Sequence, residues 1–269
     1  MEGVIHMKLQ HPLFLTILIA SSLSLTACSS SPTGRQQVLL FSSNDMSQLG
    51  AQSFEELKKQ EKINTDAKTN QYVQCVTSAI TTQLGPQPDF DQWEVVVFDS
   101  DQVNAFALPG GKIGVYTGLL NVAKNQDQLA TVIGHEIGHV MAQHSNERLS
   151  RSQLANAGLE LTNIAMSGTQ YQGAAMAGLG LGVQYGVLMP YGRAQESESD
   201  IIGLRLMAES GFDPYQSVEL WKNMAKASGG NQPPELLSTH PSHATRIDDL
   251  KAEIAQLPAT NTKRQSCTL

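Results

Sequence analysis

Apolar residues recur along the chain at two periods, and the switches between them lay out the elements. Met46, Leu49, Phe54 and Leu57 repeat roughly every three or four residues, which predicts a helix from about Asn44 to Lys62. Tyr72, Val73, Val76, Ala79 and Ile80 predict a second amphipathic helix from Asp66 to Leu84, with Gly85-Pro86 ending it. Trp93 to Phe98 reads WEVVVF, a short strand. Val103 to Leu108 and Lys112 to Thr117 flank Pro109-Gly110-Gly111, which predicts two more strands around a glycine turn. Leu129, Val132, Ile133, Ile137 and Val140 then form the stripe of a long helix from Asn125 to about Arg148. Asp213-Pro214 opens a helix through Met224. Ser242 opens a last one carrying Ile247, Leu250, Ile254 and Leu257 on one face, ended by Pro258. Helices, a small sheet, then mostly helices make a mainly helical α+β domain.

The first residues read differently. Met7-Lys8 precedes an interrupted apolar run, Leu13 to Leu25, too short for a comfortable membrane span. It reads as a secretory signal peptide over 1–27. Leu25-Thr26-Ala27-Cys28 resembles the bacterial lipobox, which implies cleavage before Cys28 and lipidation of that residue. Ser29 at the next position favours the outer membrane of the envelope. An ordinary signal peptide with an incidental Cys28 is the alternative. Ser, Thr and Gln with Pro32 and Gly34 give 28–43 the composition of a tether. The peptide chain then divides into a main domain over 44–257 and a polar tail over 258–269. One stretch inside the domain stands apart. Leu161 to Gly192 carries no charge and spaces Gly178, Gly182 and Gly186 four apart, as in membrane helix packing. Gln172 and Gln184 interrupt it, so it reads as a soluble glycine-rich helix or hairpin, with membrane contact left open.

Composition narrows the partners. Of 269 residues 41% are hydrophobic and 16% charged, enough for a core. Lys and Arg number 18 against 25 Asp and Glu, a net charge of -7, which argues against nucleic acid. Three cysteines without a Cys-x-x-Cys exclude a zinc ribbon and a disulfide scaffold. With Cys28 lipidated, Cys75 and Cys267 remain as a pair. In an oxidising envelope they suggest a disulfide, two free thiols being the alternative.

The chemistry sits in Val132-Ile133-Gly134-His135-Glu136-Ile137-Gly138-His139. On a helix, residues four apart lie about 40° apart, so His135 and His139 can reach one ion. Both flank the apolar stripe, where two histidines have no packing reason. Glu136, turned about 100° from His135, stands beside the ion and is free to hold a water. This is the His-Glu-x-x-His arrangement of catalytic zinc. His144 sits about 180° from His135 on a continuing helix and reads as a packed or helix-terminal residue. The better third ligand is Glu196, with Asp200 one turn later to take the other N–H of a zinc-bound histidine. Glu198, about 200° from Glu196, is expected to face solvent.

His135-Glu136-Ile137-Gly138-His139, Glu196 to Asp200, the run NAFALPGGKIGVYTGLL at 104–120, and Thr239-His240-Pro241 with Arg246-Ile247 and Leu250 together span about 100–250. In these motifs the chain resembles the zinc metallopeptidase family of the CAAX prenyl proteases, HtpX and a mitochondrial inner-membrane stress protease. It is most similar to the soluble periplasmic lipoprotein branch that includes BepA and LoiP. Ser199 stands where the family usually has Ala. The resemblance implies a zincin-like (gluzincin) domain with its small sheet beside the metal helix, and one zinc ion per chain. It implies His135, His139 and Glu196 as ligands and Glu136 as general base. It further implies His240 near the metal as oxyanion donor or as a plug that keeps the enzyme latent, with Arg246 orienting it. In zinc peptidases of this shape an edge strand, here Asn104, Ala105 and Phe106, pairs with the extended substrate. Phe106 also reads as core. The implied activity is cleavage of unfolded or misassembled envelope proteins by a lipid-anchored periplasmic endopeptidase. An assembly factor or chaperone for outer-membrane proteins, using the same groove with little proteolysis, is the alternative.

Overall fold

A computed structural model describes residues 28–170, 172–173, 176–177, 189–227, 240, 245–260 and 262–269. The expected signal peptide, the glycines at 178, 182 and 186, and Thr239, Pro241 and Ser242 lie outside the described residues. In chain order the elements are β1 (Cys28–Ser30), β2 (Gln36–Val38), α1 (Ser43–Gln60), α2 (Ala67–Thr81), β3 (Glu94–Phe98), β4 (Ala105–Leu108), β5 (Lys112–Tyr116), α3 (Gln126–Met141), α4 (His144–Ala165), α5 (Met189–Glu209), α6 (Gln216–Ala227) and α7 (Arg246–Ile254). The chain is α+β and mainly helical, as its periodicity predicts. No described helix is long and apolar enough to cross a membrane.

Helix α3 is the axis of the fold. Asn125 caps it by accepting from the Gln128 amide at 2.9 Å. Leu129, Ile133 and Ile137 are fully buried on its stripe, between α2, β4, α5 and α6. The sheet runs β3-β5-β4, with β3 parallel and β4 antiparallel to β5, so β4 forms one edge. On its other side Phe54, Phe98, Phe106 and Tyr116 form a second apolar cluster, with ring centroids 5.4–6.4 Å apart. Helix α6 starts two residues later than expected, because Asp213-Pro214 forms a turn whose Asp213 amide donates to Asp127 Oδ1 at 2.8 Å.

Two larger corrections concern the helix after the metal motif and the chain termini. The helix expected to reach Arg148 ends at Met141, and Gln143 adopts the left-handed region with φ 52° before α4 begins. The Ala142 carbonyl freed by this break accepts from Gln37 Nε2 at 2.6 Å. That donor arrives from β2, a hundred residues upstream, so the local period could not announce it. The expected tether is itself folded. β1 and β2 pair antiparallel around a turn in which Gly34 takes φ 89°, a conformation that glycine adopts without strain. Leu40 and Phe41 continue onto α4 through Ser150 and Asn146. The polar tail is held as well. Arg264 pairs with Asp127 at 2.7 Å, the Cys267 amide donates to Gln126 Oε1 at 2.6 Å, and Cys267 is bonded to Cys75 with Cα atoms 5.8 Å apart. Polar composition marked these segments as loose, but their polar groups are satisfied by the domain they dock on.

Candidate metal centre

Helices α3 and α5 face each other at unusually short range, and small residues are the reason. A Cβ on Gly138 would lie 3.0 Å from the Ser199 carbonyl, and one on Gly203 would lie 2.8 Å from the His135 amide. Gly134 and Gly138 on one helix meet Ser199 and Gly203 on the other, each pair four residues apart. This approach carries His135 and His139 up against Glu196 and Asp200.

His135 Nε2 lies 3.2 Å from Glu196 Oε2, His139 Nε2 lies 3.4 Å from Glu196 Oε1, and the two Nε2 atoms are 3.1 Å apart. His240 joins them, with Nδ1 3.1 Å from Glu196 Oε1 and 3.3 Å from His135 Nε2. One ligand atom from each of His135, His139, Glu196 and His240 lies within 4.8 Å of the others, and all four residues are buried. Glu136 borders this set. Its Oε1 is buried and makes no hydrogen bond, with His240 Nε2 3.3 Å away.

The outer hydrogen bonds decide which nitrogens face inward. His135 Nδ1 donates to Asp200 Oδ1 at 2.9 Å, and Arg246 Nη2 donates to the same oxygen at 2.7 Å. Arg246 is buried, stacks on the Trp221 ring at 3.6 Å, and lies 3.6 Å from Glu196 through Nη1. His139 is held differently, through His144. His144 Nε2 is 3.0 Å from Glu198 Oε2, and its Nδ1 is 2.7 Å from His139 Nδ1. Burial keeps the His144 pKa below its ordinary value against the pull of Glu198. The Glu198 carboxylate only accepts, so His144 Nε2–H donates to it, and a His139 that ligates through Nε2 keeps its proton on Nδ1 and donates it to His144 Nδ1. A metal ion bound at the two Nε2 atoms would thus find both rings held from behind through Nδ1, the usual arrangement of a zinc-bound histidine.

The charges agree. Burial opposes ionisation of Glu196, yet the His135, His139 and His240 rings around it hold it far below the usual carboxylate range. Burial also opposes a charge on His135, and Asp200 and Glu196 overcome it, raising the pKa to about 9. Burial dominates at His139 and keeps it well below its ordinary value. Buried imidazoles around an ionised carboxylate, a set biased to attract positive charge, fit a zinc ion that would displace the protons held there without it.

A profile of peptidase family M48 matches residues 67–254. The chain belongs to peptidase family M48. M48 is a family of peptidases, and the buried His-His-Glu-His group described above could hold a metal ion. Among its relatives, it is 34% identical to the mitochondrial metalloendopeptidase OMA1 of Schizosaccharomyces pombe over 65% of this chain and 50% of that one. It is 31% identical to the mitochondrial metalloendopeptidase OMA1 of Danio rerio over 87% of this chain and 52% of that one. It is 32% identical to the beta-barrel assembly-enhancing protease of Escherichia coli K12 over 60% of this chain and 34% of that one. The chain thus spans about a third to a half of the length of these relatives.

For this M48 peptidase the structure brings together His135, Glu136, His139, Glu196, Asp200, His240 and Arg246. Arg246, expected on His240, sits on Asp200 and Glu196 instead. Asn104 precedes edge strand β4, and its side chain accepts from the Ala105 amide at 2.9 Å. Ala105 is buried, and the Phe106 ring packs among Phe54, Phe98 and Tyr116, so its side chain belongs to the core. Cys28 opens β1. One residue departs from expectation. Glu198, expected in solvent, is buried, because the β1–β2 hairpin and α4 cover the side of α5 opposite Glu196. His144, expected to be packed or helix-terminal, is fully buried at the start of α4, and there it also meets His139. Its position on the apolar side of the expected helix was the available signal.

Proposed function

We propose that the protein is a lipid-anchored endopeptidase of the bacterial envelope that cleaves unfolded or misassembled proteins. The chemistry rests on one observation above the others. A buried Glu136 oxygen without a hydrogen bond stands beside a buried His-His-Glu-His set. His135, His139 and Glu196 would hold the zinc. Zinc bound there supplies electrophilic polarisation of the scissile carbonyl and lowers the pKa of the attacking water. Glu136 accepts the proton of that water and returns it to the leaving amine. Asp200 and Arg246 keep His135 in the ligating tautomer, and His144 with Glu198 does the same for His139. The backbone of edge strand β4, one residue beyond Asn104, is positioned to pair with an extended substrate. His240 acts as a plug, sharing Glu196 with the ligands until substrate displaces it.

The envelope location is supported by Leu25-Thr26-Ala27-Cys28 and by the Cys75–Cys267 disulfide, which suits an oxidising compartment. Similarity to the Escherichia coli assembly-enhancing protease supports the substrate class, although the mitochondrial relatives are equally similar. The test is expression of the full chain in a bacterial host with palmitate labelling, followed by incubation of the purified protein with unfolded casein. Wild type should be labelled, membrane-bound and proteolytic. Cys28→Ser should lose the label and enter the soluble fraction. Unchanged labelling would remove the anchor, and casein binding without cleavage would favour an assembly factor over a protease.

A further inference from the structure

The hairpin that follows Cys28 reaches the back of the metal centre. Its turn places Ser31, Thr33 and Arg35 around one carboxylate, that of Glu198. Thr33 Oγ1 donates to Glu198 Oε1 at 2.5 Å, Arg35 Nε donates to Oε2 at 2.8 Å, and the Ser31 hydroxyl donates to Oε1. The other edge of the Arg35 guanidinium makes a bidentate pair with Glu147 on α4, at 2.8 and 2.7 Å. Glu147 is itself buried and also accepts from Gln195 on α5 at 2.9 Å. The hairpin therefore locks Glu198 between α4 and α5. Glu198 Oε2 receives His144 Nε2–H, and His144 Nδ1 receives His139 Nδ1–H. A line of hydrogen bonds runs from residues just beyond Cys28 to a histidine of the metal set.

We propose that the β1–β2 hairpin is a positioning element of the metal centre, acting through Ser31, Thr33 and Arg35 on Glu198, then through His144 on His139. Ser31, Thr33 and Arg35 lie outside the stretch that matches the M48 profile, residues 67–254. Glu198 is acceptor-only, so it fixes which His144 nitrogen carries the proton, and that choice fixes the His139 tautomer. A Glu198 released from the hairpin would swing or hydrate, and His139 would lose its preference for a bare Nε2. The coupling is reciprocal by linkage: what the hairpin contributes to zinc affinity, bound zinc contributes to hairpin docking. The chain next to the proposed anchor and the metal site are thus energetically one unit.

The inference rests on His139 being a zinc ligand, and the experiment separates the two claims. Zinc release from the purified full-length protein into a chromophoric chelator is timed, and histidine ¹⁵N spectra of the zinc-free protein report which ring nitrogen of His139 is protonated. Glu198→Ala and Arg35→Ala should speed zinc release by about 10- to 100-fold, the usual range for partners behind a ligand. In both, the His139 proton should shift from Nδ1 toward Nε2. Glu198→Gln keeps an acceptor for His144 and should recover part of the loss. Thr33→Val, nearly isosteric, should speed release several-fold and decides the matter if Arg35→Ala does not fold. Cys75→Ser removes the disulfide without touching these hydrogen bonds and should release zinc at the wild-type rate, which a merely structural effect would not predict. Wild-type release and tautomer in both Thr33→Val and Glu198→Ala would overturn the positioning role while His139→Ala still lost zinc. Retention of zinc by His139→Ala would overturn the reading of the centre and this inference with it.

Discussion

The two histidines of the metal motif on α3 stand one turn apart, yet they are oriented through different partners. His135 hands its outer proton directly to Asp200, which a buried Arg246 from α7 clamps from behind. His139 hands its outer proton to a second imidazole, His144, and through it to Glu198, which Arg35 from the N-terminal hairpin clamps. Each flank ends in a carboxylate of α5 neutralised by an arginine. The difference is one of length: a direct hydrogen bond on one side, a relay on the other. Both achieve the same result, because what zinc requires of a histidine is only a bare inward nitrogen on a fixed ring.

The largest expected effect concerns the residues that meet between the two flanks. His135→Ala, His139→Ala and Glu196→Ala should each reduce bound zinc from about one per chain to near none by elemental analysis, following the three-ligand rule for catalytic sites. A variant that kept its zinc would move that residue out of the centre. Next come the flanks themselves. Asp200→Ala and Glu198→Ala should each weaken zinc binding by about 10- to 100-fold. Because they act on different histidines, their effects on log Kd should add in the double variant. A double variant no worse than either single one would show that the two flanks are a single network.

His240 belongs to neither flank, and its described polar contacts all lie within the centre, to Glu196, His135 and Glu136. A ring held in this way is displaceable, so His240→Ala should raise basal casein cleavage. A fall in kcat of about 10²- to 10³-fold would instead assign it to the oxyanion. The smallest effect is the pH response of the hairpin flank. Burial works against ionisation of Glu147, but hydrogen bonds from Arg35, Gln195 and Arg151 lower its pKa from 4.5 to about 2. Between those values the unfolded chain binds more protons than the folded one. The stabilisation is therefore complete above pH 4.5 and is lost as pH falls toward 2. Denaturant titrations at stepped pH should show this decline, and Glu147→Gln should flatten it.

The same contrast explains what could be read from the sequence. The direct flank is built from local spacing: His135 and His139 four apart, Glu196 and Asp200 four apart, each legible from one turn of helix. The sheet and most helices were legible for the same reason. The relay was not, because it depends on a helix break at Gln143 with an unremarkable sequence and on a hairpin more than a hundred residues away. A helical wheel places Glu198 opposite Glu196 correctly, but it cannot say that the hairpin covers that side. The close crossing of α3 and α5 had a readable sign, small residues four apart at 134 and 138 and again at 199 and 203.

The central claim is that both flanks serve one zinc ion beside Glu136, and that this side chain is the general base. The most direct measurement pairs zinc content with casein digestion in Glu136→Gln, an isosteric change that leaves every described ligand in place. The account predicts about one zinc per chain, as in wild type, and a loss of roughly 10²- to 10⁴-fold in rate. Digestion at the wild-type rate by the zinc-loaded variant would contradict it.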